Sequence, residues 1–279
     1  MKMHYFTKKI VDGGYQATII RVPSASIKDM GFKKCSEPYQ TVKAFYDSQE
    51  EKPDIVINGG LFNMKNGKNI MSMIDKGGTL YVEGDKKDTG DTPGYRGIGV
   101  TIYTPNKLTY GFANESCWDS FMSCFPMLIM NSVAVPEEEY YNAKSLNYNT
   151  SRQVLGFNTK GDVIIVTVDK INASGGIKFK ELVDILLAND VQYAINLDGG
   201  GSTFTLVDGK TYNVPTETRK VDNVFYIALK NIETFAPARY RVKVKSSLNV
   251  RYAPLGDGLI VDKLSNEDIV NVTAITNGF

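Results

Sequence analysis

Histidine is almost missing from this chain: 279 residues hold one, His4, close to the amino terminus. A mechanism built on a catalytic imidazole, or a zinc ion held by histidines, has almost nothing to work with. Cysteine is nearly as scarce. Cys35, Cys117 and Cys124 make an odd count of three, without the paired spacing of a zinc site. Cys117 and Cys124 read as small buried thiols in preference to a disulfide. No stretch reaches the roughly eighteen apolar residues of a membrane span. The opening, MKMHYFTKKIVDGGYQ, has no apolar core and no small-residue cleavage site, so no signal peptide is expected. Excess charge is missing too, since 32 lysines and arginines face 31 acids for a net charge of +1. That balance excludes a general polyanion binder, nucleic acid included, but leaves room for a local basic pocket.

What is present is ordinary globular material, 42% hydrophobic, long enough for one large domain and a small one. Strand patterns dominate. GYQATIIRV (14–22), DIVING (54–59), PMLIMNSVAV (126–135, broken at Asn131) and DNVFYIALK (222–230) read as strands. Hairpins are expected at 97–113, turning at Pro105-Asn106, at 153–169 around Asn158–Gly161, and at Asp208-Gly209. Two segments fit helices. TVKAFYDSQEE (41–51) is short, whereas GIKFKELVDILLANDV (176–191) repeats Phe179, Leu182, Val183, Leu186 and Leu187 at helical spacing. The polar stretch 84–97 reads as a long surface loop, and 231–240 as a linker.

The chemistry concentrates at AINLDGGGSTFTLVDGK (194–210). Gly199, Gly200 and Gly201 follow Asp198 at a strand end, and such a run lets backbone approach a ligand closely. This is no P-loop or dinucleotide fingerprint, because strand and not helix follows. It is also no serine elbow, since Ser202 lacks the flanking pattern and a base. Asp198 is the leading carboxylate, as general base or electrostatic stabiliser; capping of its own turn is the alternative. Asp169 ends the other central strand and is the candidate second carboxylate. Asn58 and Asn196 fit sugar hydroxyls, orientation of the carboxylates, or buried backbone equally well. Thr203 offers another hydroxyl. No cofactor is required, although Asp169, Asp198 and Asn196 offer oxygen ligands that suit calcium or magnesium.

Four segments in order, INGGLFN (57–63), SRQVLGFNTKGDVIIVTVD (151–169), AINLDGGGSTFTLVDGK (194–210) and NVPTETRKVDNVFYI (213–227), resemble the phosphodiester glycosidase family. The resemblance covers roughly residues 10 to 230 and implies hydrolysis of a sugar-1-phosphodiester at the anomeric carbon. It implies that Arg152 and Arg219 grip the phosphate, with Asn58, Gly59, Gly60, Asn196, the three glycines and Ser202 around the substrate. A surface salt bridge is the other use of either arginine. The sequence departs from the family in two places. Asp169-Lys170-Ile171 replaces a frequent Asp-Gly-Arg, leaving Lys170 as a point charge without a bidentate grip, and Leu61 replaces an aromatic.

Residues 240–279, with Leu248-Asn249-Val250-Arg251, Pro254 and VDKLSNEDIVNV, resemble the first part of a bacterial SH3-like domain and stop at Phe279. The expected fold is α+β: a mixed-sheet catalytic domain over 1–233 with flanking helices, plus a small, incomplete all-β module over 240–279. Together with the absent leader, that tail implies a bacterial or phage enzyme. It would be made in the cytoplasm and released by lysis, or carried on a virion, to act on a cell-wall glycan bearing sugar-phosphate links. A phosphorus-side phosphodiesterase and a non-catalytic glycan-binding phage protein are the alternatives. Sugar identity and oligomeric state are open.

Overall fold

Strand parity organises the molecule. In the central hairpin, Arg152–Phe157 pairs antiparallel with Val163–Lys170. Val154, Ile164, Val166 and Val168 face one apolar cluster, while Leu155, Phe157, Val163 and Ile165 face another. Both faces of this sheet are therefore buried, which explains why the hairpin reads as a near-continuous apolar run. The computed structural model describes residues 5–36, 39–64, 73–81, 98–103, 107–112, 119–230, 233–251 and 260–275. His4, Cys117, the 84–97 loop, the Pro105-Asn106 turn, Pro254 and Phe279 lie outside the described residues.

The chain divides into two compact units, one running to Leu229 and one starting at Lys230. In the first, a seven-stranded sheet packs against a five-stranded one. In spatial order, the seven strands are Phe6–Asp12, Tyr15–Val22, Val163–Lys170, Arg152–Phe157, Tyr193–Asn196, Met127–Met130 and Val133–Ala134. The five are Lys210–Thr211, Thr205–Val207, Ile55–Asn58, Asn223–Leu229 and Ile27–Lys34. Ile20, Leu155, Ile165 and Ile195 from the first sheet share one buried cluster with Phe32, Ile55, Ile57 and Phe225 from the second. Each outer face carries a helix. Phe179–Leu187 buries Phe179, Leu182, Val183 and Leu186 against Val154, Val166 and Ala194. Val42–Ser48, capped by the Thr41 hydroxyl on Ala44 N at 3.1 Å, buries Phe45 beside Val56, Leu206 and Val224. The order of layers is thus helix, sheet, sheet, helix. A further five-stranded sheet contains Ser120–Ser123 and the pair Ile98–Tyr103 with Lys107–Phe112.

The structure is mostly strand with few helices, but the expected mixed sheet is corrected: every pairing among the described strands is antiparallel. The Asp208-Gly209 hairpin forms, with φ of 49° and 75° at the two turn residues, the left-handed pair that favours Asp-Gly. Phe6–Asp12 and Ile27–Lys34 are strands whose lysines and aspartates obscured the pattern. In the second unit the expected linker is instead the strand Glu233–Arg241, paired with Ile269–Ile275, and Ser247–Arg251 pairs with Ile260–Ser265. Cys35 and Cys124 are buried free thiols.

Candidate active site

Asp198 sits where the seven-stranded sheet meets the end of the Ile55–Asn58 strand. Tyr193–Asn196 runs beside Arg152–Phe157, and its continuation is held from both sides. Leu197 N donates to Gln153 O at 2.8 Å, Gly200 N to Ser151 O at 2.9 Å, and Asp198 N to Gly59 O at 3.0 Å. Asn58 completes the clamp. Its Nδ2 donates to Asp198 O at 2.7 Å, and its Oδ1 accepts from Phe204 N at 3.0 Å. Among the uses open to Asn58, the structure takes the satisfaction of backbone: the side chain is fully buried and fixes the loop.

The Asp198 carboxylate is only partly covered, yet burial pushes its pKa from 3.8 up to about 6, against the pull of Ser202, the Arg219 charge and the Gly199 amide. A carboxylate so tuned is ionised above neutrality and close to the working pH of a general base. Around it, two buried polar atoms have no hydrogen-bond partner among the described residues, Asn196 Oδ1 and Thr203 Oγ1, while the buried Ser202 hydroxyl is a hydrogen-bonding neighbour of Asp198. Buried polar atoms normally find partners, so this group is available to a ligand. Asn196 Nδ2 is engaged by Phe125 O at 3.1 Å and Leu197 O at 2.9 Å, which leaves its oxygen alone free. Burial also pushes the nearby Cys124 thiol up to about 12, with Asp198 adding to the effect, so Cys124 is no thiolate nucleophile.

Two sequence-based assignments need correction. Arg152 is 3% exposed and does not face the loop. It shares strand parity with Val154, so its guanidinium lies against the helix, 4.2 Å from the Phe179 ring centroid. There it donates to the carbonyls of Leu146 at 2.5 Å, Tyr148 at 2.7 Å and Ile177 at 3.3 Å, and burial lowers its pKa to about 10. It is a structural arginine and not a phosphate clamp. Asp169 is fully buried; its Oδ1 accepts from Asn213 Nδ2 at 2.8 Å and its Oδ2 from Val214 N at 2.9 Å. Burial pushes its pKa up while these two donors oppose the rise. Asp169 therefore anchors the 213–219 segment and does not reach a substrate. Among the described residues, no group of three acidic, histidine or cysteine side chains is placed to hold a metal ion.

Arg219 stays at the site. Its charge acts on Asp198, and its guanidinium is paired with Glu217. The glycines mostly make room for protein groups. A Cβ at Gly59 would strike Asn223 Oδ1, one at Gly60 would lie 2.5 Å from Met122 Sδ, and one at Gly199 2.8 Å from Ser151 O. A Cβ at Gly201 would collide with Glu217 and lie 2.6 Å from a terminal nitrogen of Arg219. Gly200 adopts a φ of 58°. Lys170, considered as a stand-in cation, donates to Ala173 O at 3.3 Å.

Sequence reasoning missed Asn213, Asn223 and Glu217, although all three lie inside quoted motifs. Asn213 Oδ1 accepts from Thr205 N at 2.8 Å while its Nδ2 serves Asp169, so it ties the two sheets together. Asn223 Oδ1 accepts from Gly60 N at 2.7 Å. Beneath the loop, Gln153, Thr167 and Thr205 form a fully buried polar bridge between the sheets, with the two threonine hydroxyls 2.6 Å apart. A cleft of about 330 Å³ opens elsewhere, lined by Asp12, Tyr15, Asn149, Asn172 and Glu181. With two carboxylates and no cation among its described lining residues, it has the wrong sign for a phosphate.

Comparisons with known proteins identify the family and the fold. The phosphodiester glycosidase family model matches residues 51–228. N-acetylglucosamine-1-phosphodiester alpha-N-acetylglucosaminidase of Bos taurus is 28% identical over 171 residues, covering 57% of this chain and 32% of that protein. The Homo sapiens protein of the same name is 24% identical over 178 residues, covering 57% and 33%. The chain thus spans about a third of the length of these curated relatives. Among solved structures, the zebrafish N-acetylglucosamine-1-phosphodiester alpha-N-acetylglucosaminidase catalytic domain, auto-inhibited by pro-peptide, superposes with a TM-score of 0.63 at 19% identity, covering 80% of this chain and 82% of that one. A hypothetical protein from Synechocystis gives 0.57 at 13% identity, covering 81% and 62%. With its family model matched over more than half its length, the chain belongs to the phosphodiester glycosidase family.

Proposed function

We propose that the chain hydrolyses a sugar-1-phosphodiester at the anomeric carbon, releasing free sugar and a phosphomonoester. The observation that carries this reading is the loop that sets Asp198, its pKa raised by burial to about 6, three residues before Gly201, beside which the Arg219 guanidinium lies. In this mechanism a water oxygen attacks the anomeric carbon and gives its proton to Asp198. The bond from that carbon to the phosphate oxygen breaks, and its electron pair leaves with the phosphate. The departing group is a phosphate ester, far more stable as an anion than a sugar alkoxide. It needs little help from a general acid, so a site without histidine can perform the step. Arg219 balances the phosphate charge with its planar fork of donors. Asn196 Oδ1 and Thr203 Oγ1, unpartnered among the described residues, suit sugar hydroxyls.

The family membership supports this activity, and the curated relatives are named for a sugar-1-phosphodiester substrate. The small second unit, read as an SH3-like module, fits delivery to a bacterial envelope glycan after lysis or on a virion. The deciding experiment runs the reaction on a panel of sugar-1-phosphodiesters in ¹⁸O-labelled water. Label in the released sugar supports the proposal. Label in the phosphate means cleavage on the phosphorus side and overturns it.

A further inference from the structure

We propose that Glu217 makes this site discriminate against phosphomonoesters in favour of phosphodiesters, by occupying the anion seat on Arg219. The inference rests on the reading of Arg219 as the phosphate ligand. The Glu217 carboxylate pairs with the Arg219 guanidinium from two residues away. Both groups lie over Gly201, inside the Asp198 loop, where a Cβ would collide with the carboxylate. The charge of Arg219 also reaches Asp198 itself. The cation beside the reacting carboxylate is thus already neutralised by an anion from its own chain.

That anion is displaceable. The Glu217 side chain is 49% exposed and that of Arg219 28%, so a rotation carries the carboxylate into water without opening the core. The incoming phosphate decides whether the exchange is favourable. A phosphodiester carries one negative charge and replaces one carboxylate with one phosphate oxyanion. A phosphomonoester near neutral pH carries about −1.5 to −2. It meets one guanidinium flanked by two carboxylates, the displaced Glu217 and Asp198, and like charges in close contact penalise it. Glu217 therefore returns to Arg219 as the monoester product leaves. It acts through Arg219 and positions no atom of the reaction.

The test compares wild type with Glu217→Gln and Glu217→Ala in the full chain, using diethyl phosphate and ethyl phosphate as probes by titration calorimetry. A thermal melt confirms that each variant is folded. Removing the carboxylate is expected to tighten ethyl phosphate binding about tenfold and diethyl phosphate binding only about two- to threefold. Inhibition of sugar-1-phosphodiester turnover by ethyl phosphate should deepen in both variants. Equal changes for the two probes, or none, would overturn the assignment. A collapse of kcat in Glu217→Gln would overturn it as well, by making Glu217 part of the chemistry. Because the calorimetry needs no turnover, a wild type that cleaves no phosphodiester would sink the proposed function and still leave Glu217 to be judged by binding.

Discussion

Asn213 Nδ2 donates to Asp169 Oδ1 at 2.8 Å, and both side chains are buried between the two central sheets. The next residue, Val214, donates its amide to the other oxygen at 2.9 Å. One carboxylate thus holds the start of the segment that ends at Glu217 and Arg219. Glu217 is exposed and Arg219 half-buried, but the anchor of their segment is in the core.

Replacing Asp169 by alanine should therefore cost stability and substrate affinity together. A buried amide and a half-buried backbone N–H lose their acceptor, a loss of about 2–4 kcal/mol. Denaturant unfolding should show that drop in the midpoint. With Arg219 no longer held, KM for a phosphodiester should rise more than kcat falls. If kcat falls by three orders of magnitude while KM and the midpoint are unchanged, Asp169 takes part in the chemistry and the anchoring account is wrong.

Asp198→Asn should give the opposite stability result. Between 3.8 and about 6 the folded state holds the Asp198 proton more tightly than the unfolded chain does. Stability contributed by this group is present at low pH and falls as pH rises through that window. An asparagine escapes the penalty, so the variant should melt higher at pH 7.5. The ceiling is about 3 kcal/mol, and access of solvent to Asp198 reduces it. Activity should fall by roughly 10²–10⁴-fold. In the wild type, kcat should rise through a pH near 6 as Asp198 ionises. A flat profile between pH 5 and 7 would remove Asp198 from the role of base.

The contrast between these aspartates shows what the sequence makes legible. The strand carrying Asp169, the strand that leads into Asp198, the helix 179–187 and the Asp-Gly hairpin follow from apolar periodicity and turn chemistry. Periodicity of two also separates Arg152 from Gln153: Arg152 falls on the face of Val154, and Gln153 on the inter-sheet face with Thr167. Which face meets the second sheet is a tertiary fact, and a motif match does not carry it. The anchoring roles of Asn213 and Asn223 were equally hidden, because each bonds to residues far along the chain. Nothing in the sequence singles out Glu217; only its seat on Gly201 and Arg219 distinguishes it.

The two arginines should separate cleanly by experiment. Arg152→Met removes three hydrogen bonds to carbonyls and the contact with Phe179. It should destabilise the fold by about 2–3 kcal/mol. In the fraction that stays folded, KM should be close to wild type. Arg219→Ala should leave the melting temperature within a few degrees, since its pair with Glu217 is exposed. Its KM should rise ten- to a hundredfold, on the order of a lost charged hydrogen-bond partner. Reversal of these two patterns would restore Arg152 as the phosphate ligand.

Glycine substitutions test whether the loop glycines serve the fold or the ligand. At Gly59 a new Cβ meets the buried Asn223, whose backbone carbon lies 3.2 Å away and whose Oδ1 holds Gly60 N. Neither group can yield, so Gly59→Ala should cost about 2–4 kcal/mol, as overpacking at a rigid contact does. At Gly201 the obstruction is the far ends of two mobile side chains, Glu217 and Arg219. They can swing outward, so Gly201→Ala should change stability by less than about 1 kcal/mol. The same methyl lies beneath the anion seat, and KM for a phosphodiester should rise at least fivefold. Equal melting temperatures for Gly59→Ala and wild type would show that the strand end at Asn58 can relax. An unchanged KM in Gly201→Ala would place the phosphate somewhere other than above Gly201.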